Sequence, residues 1–258
     1  MLTNLNKIIK KYFISGLIIF LLISCKNEQY QVNTIKGSQI EIDGNLAQDS
    51  TIINFIKPYK NQLQKEVNVV LSYTPITLTR KDGNLQSSLG NIYADVCYQK
   101  ANPVFNDLSK KNIDFVLFNY GGVRQSIPKG DITVNDIFKL MPFENMLVVV
   151  ELSGKKTKEL FDYFEKNKWA HPISGLNLTF NNDKLSDIFI QNKPFNISKN
   201  YYVLTSDYLQ HGGDHMIFFK DPVNLYSLNY KVRDAIIDYL KETDTLKAKL
   251  DDRVMVME

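Results

Sequence analysis

The stretch IDFVLFNYGGVR, residues 113–124, joins a short apolar run to a loop with two glycines and an arginine. The apolar run, residues 113–118, predicts a buried strand. Directly after it, Gly121 and Gly122 allow positive φ angles and a close approach of a ligand to the backbone. Arg124 adds a planar set of donors that fits a phosphate or a carboxylate. The alternative is a plain turn beside a surface ion pair, and this loop alone does not decide between the two.

Helices and strands are predicted to alternate on both sides of this stretch. Apolar spacing and capping residues predict helices over residues 51–67, from Ser87-Ser88 onward, from Thr133 to Lys139, and over residues 155–167 and 229–242. Apolar runs predict strands over residues 67–73, 146–152 and 201–205, and a hairpin joins residues 176–180 to 187–191 through Asn181-Asn182-Asp183. We therefore expect one mixed α/β (α+β) domain with a mixed sheet flanked by helices.

A second loop, residues 140–146, lies between a predicted helix and a predicted strand. Phe143 offers a ring face and Asn145 offers both a donor and an acceptor, a pair of groups that suits a purine base. The alternative is a phenylalanine that closes the core under a turn.

A third loop, residues 207–214, again follows a strand and again contains two glycines. Asp214 is a short carboxylate that could accept hydrogen bonds from ribose hydroxyls, and Tyr208 is a second candidate stacking ring. The alternative is a glycine-rich turn in which Asp214 caps the next element.

Six short motifs occur in order along the chain. They are Ser88-Leu89-Gly90-Asn91 with Asp95, Asn119-x-Gly-Gly-Val-Arg124, Gly130-Asp131-Ile132-Thr133, Pro142-Phe143-x-Asn145, Leu152-Ser153-Gly154 and Gly212-Gly213-Asp214. In this order they resemble the C-terminal domain of bacterial and animal 5'-nucleotidases, over about residues 50–245.

The resemblance implies a nucleotide site and a role for each matching residue. Arg124 would bind the phosphate, with Asn119 and Gly121 shaping its loop. Phe143 and Tyr208 would enclose the base, Asn145 would meet the base edge, and Asp214 would hold the ribose hydroxyls. Gly175 would line the same pocket, and Arg80 is the nearest match to an arginine that the family has before the Ser-Leu-Gly-Asn helix.

Three departures from the family pattern bear on this expectation. Tyr208 stands where the family usually has phenylalanine, which keeps a stacking face. Tyr120 and His215 stand where glycines are common and could narrow the pocket. The spacing of Arg80 from the Ser-Leu-Gly-Asn helix fits the pattern poorly.

The first 24 residues predict a secretory signal. Three lysines precede a short apolar run, and Leu22-Ile23-Ser24-Cys25 resembles a bacterial lipobox, so we expect Cys25 to carry a lipid. Residues 25–45 would then be a tether and residues 46–258 the domain, held at the periplasmic or outer-membrane face of the cell envelope. The alternative is an uncleaved amphipathic anchor or a buried helix.

Without that leader, basic and acidic side chains balance, which argues against a protein that binds nucleic-acid polymers. If Cys25 carries the lipid, Cys97 has no other cysteine to pair with, so no internal disulfide is expected. Three histidines, His171, His211 and His215, form no metal-binding pattern, and no catalytic motif is present.

In the family that the chain resembles, a separate N-terminal domain holds a pair of divalent metal ions that perform the hydrolysis. We therefore expect no catalytic residue and no metal in this chain, and a separately encoded metallophosphatase partner that supplies the metal pair. The alternatives are a stand-alone nucleotide- or nucleoside-binding lipoprotein, or a scaffold that has lost its ligand.

Overall fold

The computed structural model describes residues 9–16 and 31–257. Residues 9–16 are helical, while residues 31–49 are exposed and form no helix or strand. Cys25 and most of the predicted leader lie outside the described residues. No helix within the described ranges is both long enough and apolar enough to cross a membrane.

The rest of the chain, from residue 51 on, forms one compact unit of mixed α/β structure. Its helices are α1 (Ser50–Val67), α2 (Ser88–Ser109), α3 (Val134–Leu140), α4 (Gly154–Asn167), α5 (Asp207–Gln210) and α6 (Val232–Lys241). Its strands are β1 (Val70–Thr74), β2 (Phe115–Leu117), β3 (Gly130–Thr133), β4 (Met146–Ser153), β5 (Ile173–Ser174), β6 (Leu176–Asn181), β7 (Lys184–Ile190), β8 (Lys193–Pro194), β9 (Asn200–Ser206), β10 (Asn224–Lys231) and β11 (Val254–Met257).

A five-stranded sheet in the order β10-β4-β9-β2-β5 forms the centre of the fold. Strand β2 runs parallel to β9, whereas β4 runs antiparallel to β9. The carboxyl ends of β2 and β9 therefore meet the amino end of β4 at one edge of the sheet. Phe115, Val149 and Val203 on these strands are fully buried, so burial of apolar side chains fixes the register of the sheet.

Two smaller sheets complete the unit. Strands β1 and β3 pair with each other, and β11, β6, β7 and β8 form a four-stranded sheet in that order. The β6–β7 hairpin turns through Asn182 and Asp183, which both have positive φ angles, as the favoured two-residue hairpin turns require. The predicted hairpin across these residues is thus confirmed.

Most predicted elements are present with shifted ends. Thr133 caps α3 and Ser87 caps α2, each by accepting a backbone N–H, as expected from their position before a helical pattern. The prediction of a helix over residues 229–242 is partly wrong, because strand β10 occupies the chain up to Lys231 and pairs with β4. The prediction of a strand beginning at residue 67 is also wrong there, because Val67 ends α1.

Candidate functional site

The three loops singled out in the sequence meet at one edge of the central sheet. Residues 119–124 follow β2, residues 207–214 follow β9, and residues 141–145 precede β4. The parallel pairing of β2 with β9 and the antiparallel pairing of β4 with β9 bring these loops together. Binding groups in α/β sheets commonly sit in such a crevice beyond the carboxyl ends of strands.

A cavity of about 230 Å³ opens between the loops. It is lined by eight residues, all from these loops: Asn119, Gly121, Gly122, Arg124, Phe143, Asn145, Tyr208 and Asp214. All except Gly122 were predicted as site residues from the sequence. The fold therefore gathers a cation, two rings, two amides and a carboxylate around one space.

Gly122, the second glycine of the first loop, leaves room for the loop's own asparagine. Residues Tyr120–Gly122 form a short 3-10 turn, in which the Gly122 N–H donates to the Asn119 carbonyl. A Cβ atom on Gly122 would lie 2.7 Å from Asn119 Oδ1, so no larger residue fits without moving that side chain. The expected positive φ angles are wrong, because neither glycine adopts one. Gly122 is needed for close packing instead, whereas a Cβ atom on Gly121 would make only ordinary contacts, 3.4 Å from Asp214 Oδ2.

Asp214 connects the first loop to the third. Its Oδ2 accepts a hydrogen bond of 2.7 Å from Asn119 Nδ2, and its Oδ1 accepts one of 2.9 Å from the Tyr208 hydroxyl. The Tyr163 hydroxyl donates to the Asp214 carbonyl oxygen at 3.1 Å. Each carboxylate oxygen keeps a lone pair for a further donor, so Asp214 is held in place and still able to accept from a ligand hydroxyl.

Tyr208 is positioned by the glycine beside Asp214. The ring lies so close to Gly213 that an added Cβ atom would be 2.4 Å from Tyr208 Cε1. The hydrogen bond to Asp214 is the main cause of a raised pKa at Tyr208, which keeps the hydroxyl protonated as a donor. Tyr208 lines the cavity and is nearly half exposed.

Arg233, which the sequence did not single out, holds the second loop. It is buried, and its Nη1 donates to the carbonyl oxygens of Met141 and Phe143 at 3.2 and 3.3 Å. It also pairs with Glu144, whose pKa falls to about 2 because Lys231 and Arg233 both donate to it. No sequence signal marked Arg233, because the burial that sets it apart from an ordinary surface arginine is visible only in the structure.

Arg124 reaches the cavity beside Phe143. Its Nη1 donates to the Gly121 carbonyl at 3.3 Å, and its guanidinium carbon lies 5.8 Å from the Phe143 ring centre. The Arg124 backbone N–H donates to the Leu140 carbonyl, which joins the first loop to the second. The cation and the ring thus face one space from neighbouring loops.

Two predicted site residues lie outside this cavity. Gly175 packs against Asp114 and Phe115, at the amino end of β2, whereas the cavity is at the carboxyl end of that strand. Its predicted place in the pocket is wrong. Its φ of 75° and the Asp114 carbonyl 2.7 Å from a Cβ position explain the glycine structurally.

Arg80 supports the first loop from outside the cavity. Its Nη1 donates to the carbonyl oxygens of Val123 at 2.8 Å and Tyr120 at 3.3 Å, and its guanidinium covers the Tyr120 ring at 4.5 Å. It lines a separate groove that also includes Lys81 and Arg124. Arg80 therefore fixes the backbone of the loop that carries Arg124.

The metal pair was expected in a partner protein, and the described residues of this chain offer no matching set of ligands for a metal. Within residues 9–16 and 31–257, no three His, Cys, Asp or Glu side chains are placed to hold a metal ion. His211 is exposed, with Nδ1 2.7 Å from the Asp207 carbonyl, and His171 is buried with Nδ1 accepting the Tyr120 N–H at 3.0 Å. The residues present do not fit a dimetal centre.

Comparison with known proteins matches the 5'-nucleotidase, C-terminal domain family model to residues 28–221. A 5'-nucleotidase of Vibrio vulnificus is 27% identical over 69% of this chain and 32% of its own length. A 5'-nucleotidase-related protein of Glossina morsitans morsitans is 27% identical over 88% of this chain and 45% of its own length. The chain thus spans less than half the length of these curated relatives.

Solved structures give the same fold. The 5'-nucleotidase precursor of Thermus thermophilus superposes with a TM-score of 0.64 at 23% identity, over 80% of this chain and 42% of that protein. The NAD nucleotidase of Haemophilus influenzae superposes with a TM-score of 0.60 at 18% identity, over 81% of this chain and 41% of that protein.

Proposed function

Because the chain belongs to the 5'-nucleotidase, C-terminal domain family, we propose that it is the substrate-binding part of a 5'-nucleotidase-type hydrolase in nucleotide catabolism. One observation carries the proposal: three loops distant in sequence line a single cavity with a guanidinium, two aromatic rings, an amide and a carboxylate. These groups are complementary to the phosphate, the base and the ribose of a nucleotide.

The base is held between the second and third loops. Phe143 and Tyr208 both line the cavity and keep 41% and 45% of their surface exposed, so their faces are free to contact a flat ring. Asn145 lines the same cavity and can pair with the base edge, since its amide both donates and accepts.

The sugar and the phosphate contact the first and third loops. Asp214, fixed by Asn119 and Tyr208, accepts hydrogen bonds from the ribose hydroxyls. Arg124 binds the phosphate, because its planar donors suit an oxyanion and its side chain borders the cavity.

The hydrolytic chemistry comes from a metallophosphatase partner in this proposal. A divalent metal pair in that partner activates water and stabilises the attacking and leaving oxygens. The proposal thus assigns binding to this chain and catalysis to the partner.

The same proposal places the protein outside the cytoplasm. The lysine-rich leader and the Leu22-Ile23-Ser24-Cys25 sequence support export and a lipid on Cys25, which would hold the domain at the cell envelope.

Calorimetric titration with AMP and with adenosine tests the binding function. Both ligands should bind the wild-type chain, and Phe143→Ala should weaken both by about 1–3 kcal/mol, the value of one base–aromatic contact. Arg124→Ala should weaken the binding of AMP much more than the binding of adenosine, because adenosine lacks the phosphate.

Phe189→Ala is the matched control. Phe189 is 37% exposed, close to the exposure of Phe143, and lies on β7 outside the cavity. The control should bind both ligands like the wild type. If the folded wild-type chain binds neither AMP nor adenosine, or if Phe143→Ala and Phe189→Ala behave alike, the proposed function is wrong.

A further inference from the structure

Helix α1 (Ser50–Val67) has no side chain buried against any described part of the chain. Residues 50–66 are all exposed, and Val67 is half-buried. Most of the stability of a protein helix comes from the packing of an apolar face, and an isolated helix of a few turns is only marginally stable in water. The described part of the protein therefore leaves α1 without the cover that such a helix needs.

The large apolar side chains of α1 form one stripe. Phe55, Tyr59 and Leu63 recur at intervals of four residues, and Ile56 lies three residues before Tyr59. Because an α-helix has 3.6 residues per turn, these four side chains lie on the same face. All four are exposed, and the rings of Phe55 and Tyr59 are in contact with their centres 6.0 Å apart. The helix thus presents a continuous apolar face.

The rest of the helix surface is polar and basic. Lys57 and Lys65 lie on the side away from the apolar stripe, Lys60 lies at its border, and Glu66 is the only acidic side chain of the helix. An apolar face with phenylalanine and leucine, flanked by lysines, is typical of helices that lie in the interface of a membrane with anionic lipids. The charge of α1 is therefore complementary to such a surface.

The position of α1 in the chain favours a membrane over a protein as its cover. Ser50 lies 25 positions after Cys25, the residue predicted to carry a lipid. In the described part of this connection, residues 31–49 are exposed and form no helix or strand. A flexible chain of that length spans on the order of 30 Å, and α1 itself is about 27 Å long. A lipid on Cys25 would thus hold α1 close to the same bilayer, at a high effective concentration.

From these observations we propose that α1 is an interfacial helix, whose apolar face lies against a bilayer that contains anionic lipids. Its lysines are attracted to the headgroups of that bilayer. The helix gives the protein a second attachment beside the lipid on Cys25, and two such signals together hold a protein at a membrane more firmly than either one alone. This inference rests on the export and the lipid attachment proposed above.

Co-sedimentation with lipid vesicles tests the helix without the lipid anchor. Because the compact unit begins at Thr51, the chain from residue 26 onward keeps the whole fold and lacks both the leader and Cys25. It should bind vesicles that contain phosphatidylglycerol roughly 10- to 30-fold more tightly than vesicles of phosphatidylcholine alone, because α1 has three lysines and one glutamate. Added salt should reduce this preference.

Leu63→Gln and Leu108→Gln form a matched pair of variants. The two leucines are 58% and 59% exposed, and each lies in a helix, Leu63 in α1 and Leu108 in α2. Leu63→Gln should weaken binding to the anionic vesicles roughly 3- to 10-fold, because one apolar side chain covered by lipid is lost. Leu108→Gln should bind them like the wild type. Neither variant should change the melting temperature, since both side chains are exposed.

A second pair of variants tests the charge. Lys57→Gln combined with Lys60→Gln should remove most of the preference for anionic vesicles, because the net positive charge of α1 is lost. Lys57→Arg combined with Lys60→Arg keeps the charge and should keep the preference. Equal binding of these two double variants to the anionic vesicles would contradict the role of the lysines.

Tryptophan fluorescence shows which face of α1 meets the lipid. Trp169 is the only tryptophan of the chain, so Trp169→Phe provides a silent background. In that background Tyr59→Trp reports from the apolar face and Asn61→Trp from the opposite face. Anionic vesicles should shift the emission of the Tyr59→Trp protein to shorter wavelength and leave that of the Asn61→Trp protein nearly unchanged.

Three results would overturn the inference. They are a wild-type chain that does not bind anionic vesicles, equal effects of Leu63→Gln and Leu108→Gln, and, in place of vesicle binding, a dimer or a metallophosphatase complex that Leu63→Gln dissociates. Calorimetry with AMP on the same proteins tests the binding function separately, because α1 contributes no residue to the cavity. Mass spectrometry of the full-length chain shows whether Cys25 carries a lipid, so failure of the anchor and failure of the helix are distinguishable.

Discussion

Asp214 and His171 show how single residues order the site. Asp214 receives hydrogen bonds from Asn119 on one loop and from Tyr208 on its own loop, so one carboxylate aligns two loops. His171 accepts a hydrogen bond from the Tyr120 N–H and so holds the backbone of the first loop. The contacts of Asn119 with Asp214 and of Tyr120 with His171 join residues distant in sequence, which neither composition nor spacing reveals.

The buried state of His171 has a consequence for stability. Burial lowers the pKa of His171 from its ordinary 6.5 to about 4, although the nearby Asp214 charge opposes that shift. In the unfolded chain the imidazole binds a proton as the pH falls through 6.5, whereas in the folded protein it resists protonation until about pH 4. The stabilising contribution of the neutral ring is therefore complete above pH 6.5 and is lost as the pH falls from there towards 4.

We predict that His171→Asn removes this part of the pH dependence. The asparagine oxygen can still accept the Tyr120 N–H, but it does not titrate. The wild type should lose on the order of 1–3 kcal/mol more unfolding free energy than the variant between about pH 7 and about pH 4.5. Urea denaturation at the two pH values measures this difference, and identical losses in the two proteins would contradict it.

Among the elements, the segment after β9 departs most from its sequence-based description. Residues 207–214 were expected to be a loop, yet Asp207–Gln210 form the short helix α5, capped by Ser206. Gly212 and Asp214 then adopt positive φ angles, which turn the chain back over the cavity. The glycines indicated a turn, but the local pattern carries no signal for a helix of one turn.

Within this segment, Gly213 is predicted to control the position of the Tyr208 ring. Gly213 has no positive φ angle, so alanine fits its backbone, but the new Cβ would overlap the ring at 2.4 Å from Cε1. Because a side-chain ring can rotate, we expect Gly213→Ala to displace Tyr208 rather than to unfold the domain. AMP affinity should fall roughly 5- to 150-fold, the loss of one base contact, with little change in melting temperature.

Gly44→Ala serves as the control for that substitution. No atom lies within 4 Å of a Cβ on Gly44, and its φ is not positive, so it should leave both AMP affinity and melting temperature unchanged. Calorimetry and thermal denaturation measure the two quantities. A Gly213→Ala protein that binds AMP like the wild type would show that Tyr208 does not contact the base.

Sequence patterns predict helices and strands better than they predict long-range contacts. Apolar spacing located most helices and central strands, because burial on one face leaves a period in the chain. Strand β10 was missed at Asn224–Lys231, where exposed and half-buried residues dominate and the pairing with β4 supplies the order. The predicted position of Gly175 in the pocket was wrong for a different reason. A sequence pattern gives the order of residues along the chain, but the pairing of β5 with β2 decides that Gly175 lies at the amino end of β2.

At the scale of the whole molecule, the central sheet determines what the protein can bind. The mixed directions of β2, β4 and β9 bring three loops to one edge, and the cavity that these loops line opens there. Arg80 holds the first loop and Arg233 holds the second, each by donating hydrogen bonds to backbone carbonyl oxygens. Contacts within the protein therefore hold the first and second loops at this edge of the sheet.

The proposed division between binding in this chain and catalysis in a partner predicts that AMP hydrolysis requires a second protein. The purified chain, given AMP and Mn²⁺ or Zn²⁺, should release no phosphate above a blank, because no side-chain group in the described ranges is placed to hold the metal pair. Addition of an exported metallophosphatase that lacks a nucleotide-binding domain should start phosphate release. Phe143→Ala should then lower kcat/KM for AMP by roughly 5- to 150-fold, since the lost base contact would also be absent in the transition state, whereas Phe189→Ala should not. Turnover by the chain alone would place a catalytic site within it, whereas binding of AMP without any activation by such a partner would favour a stand-alone nucleotide-binding lipoprotein.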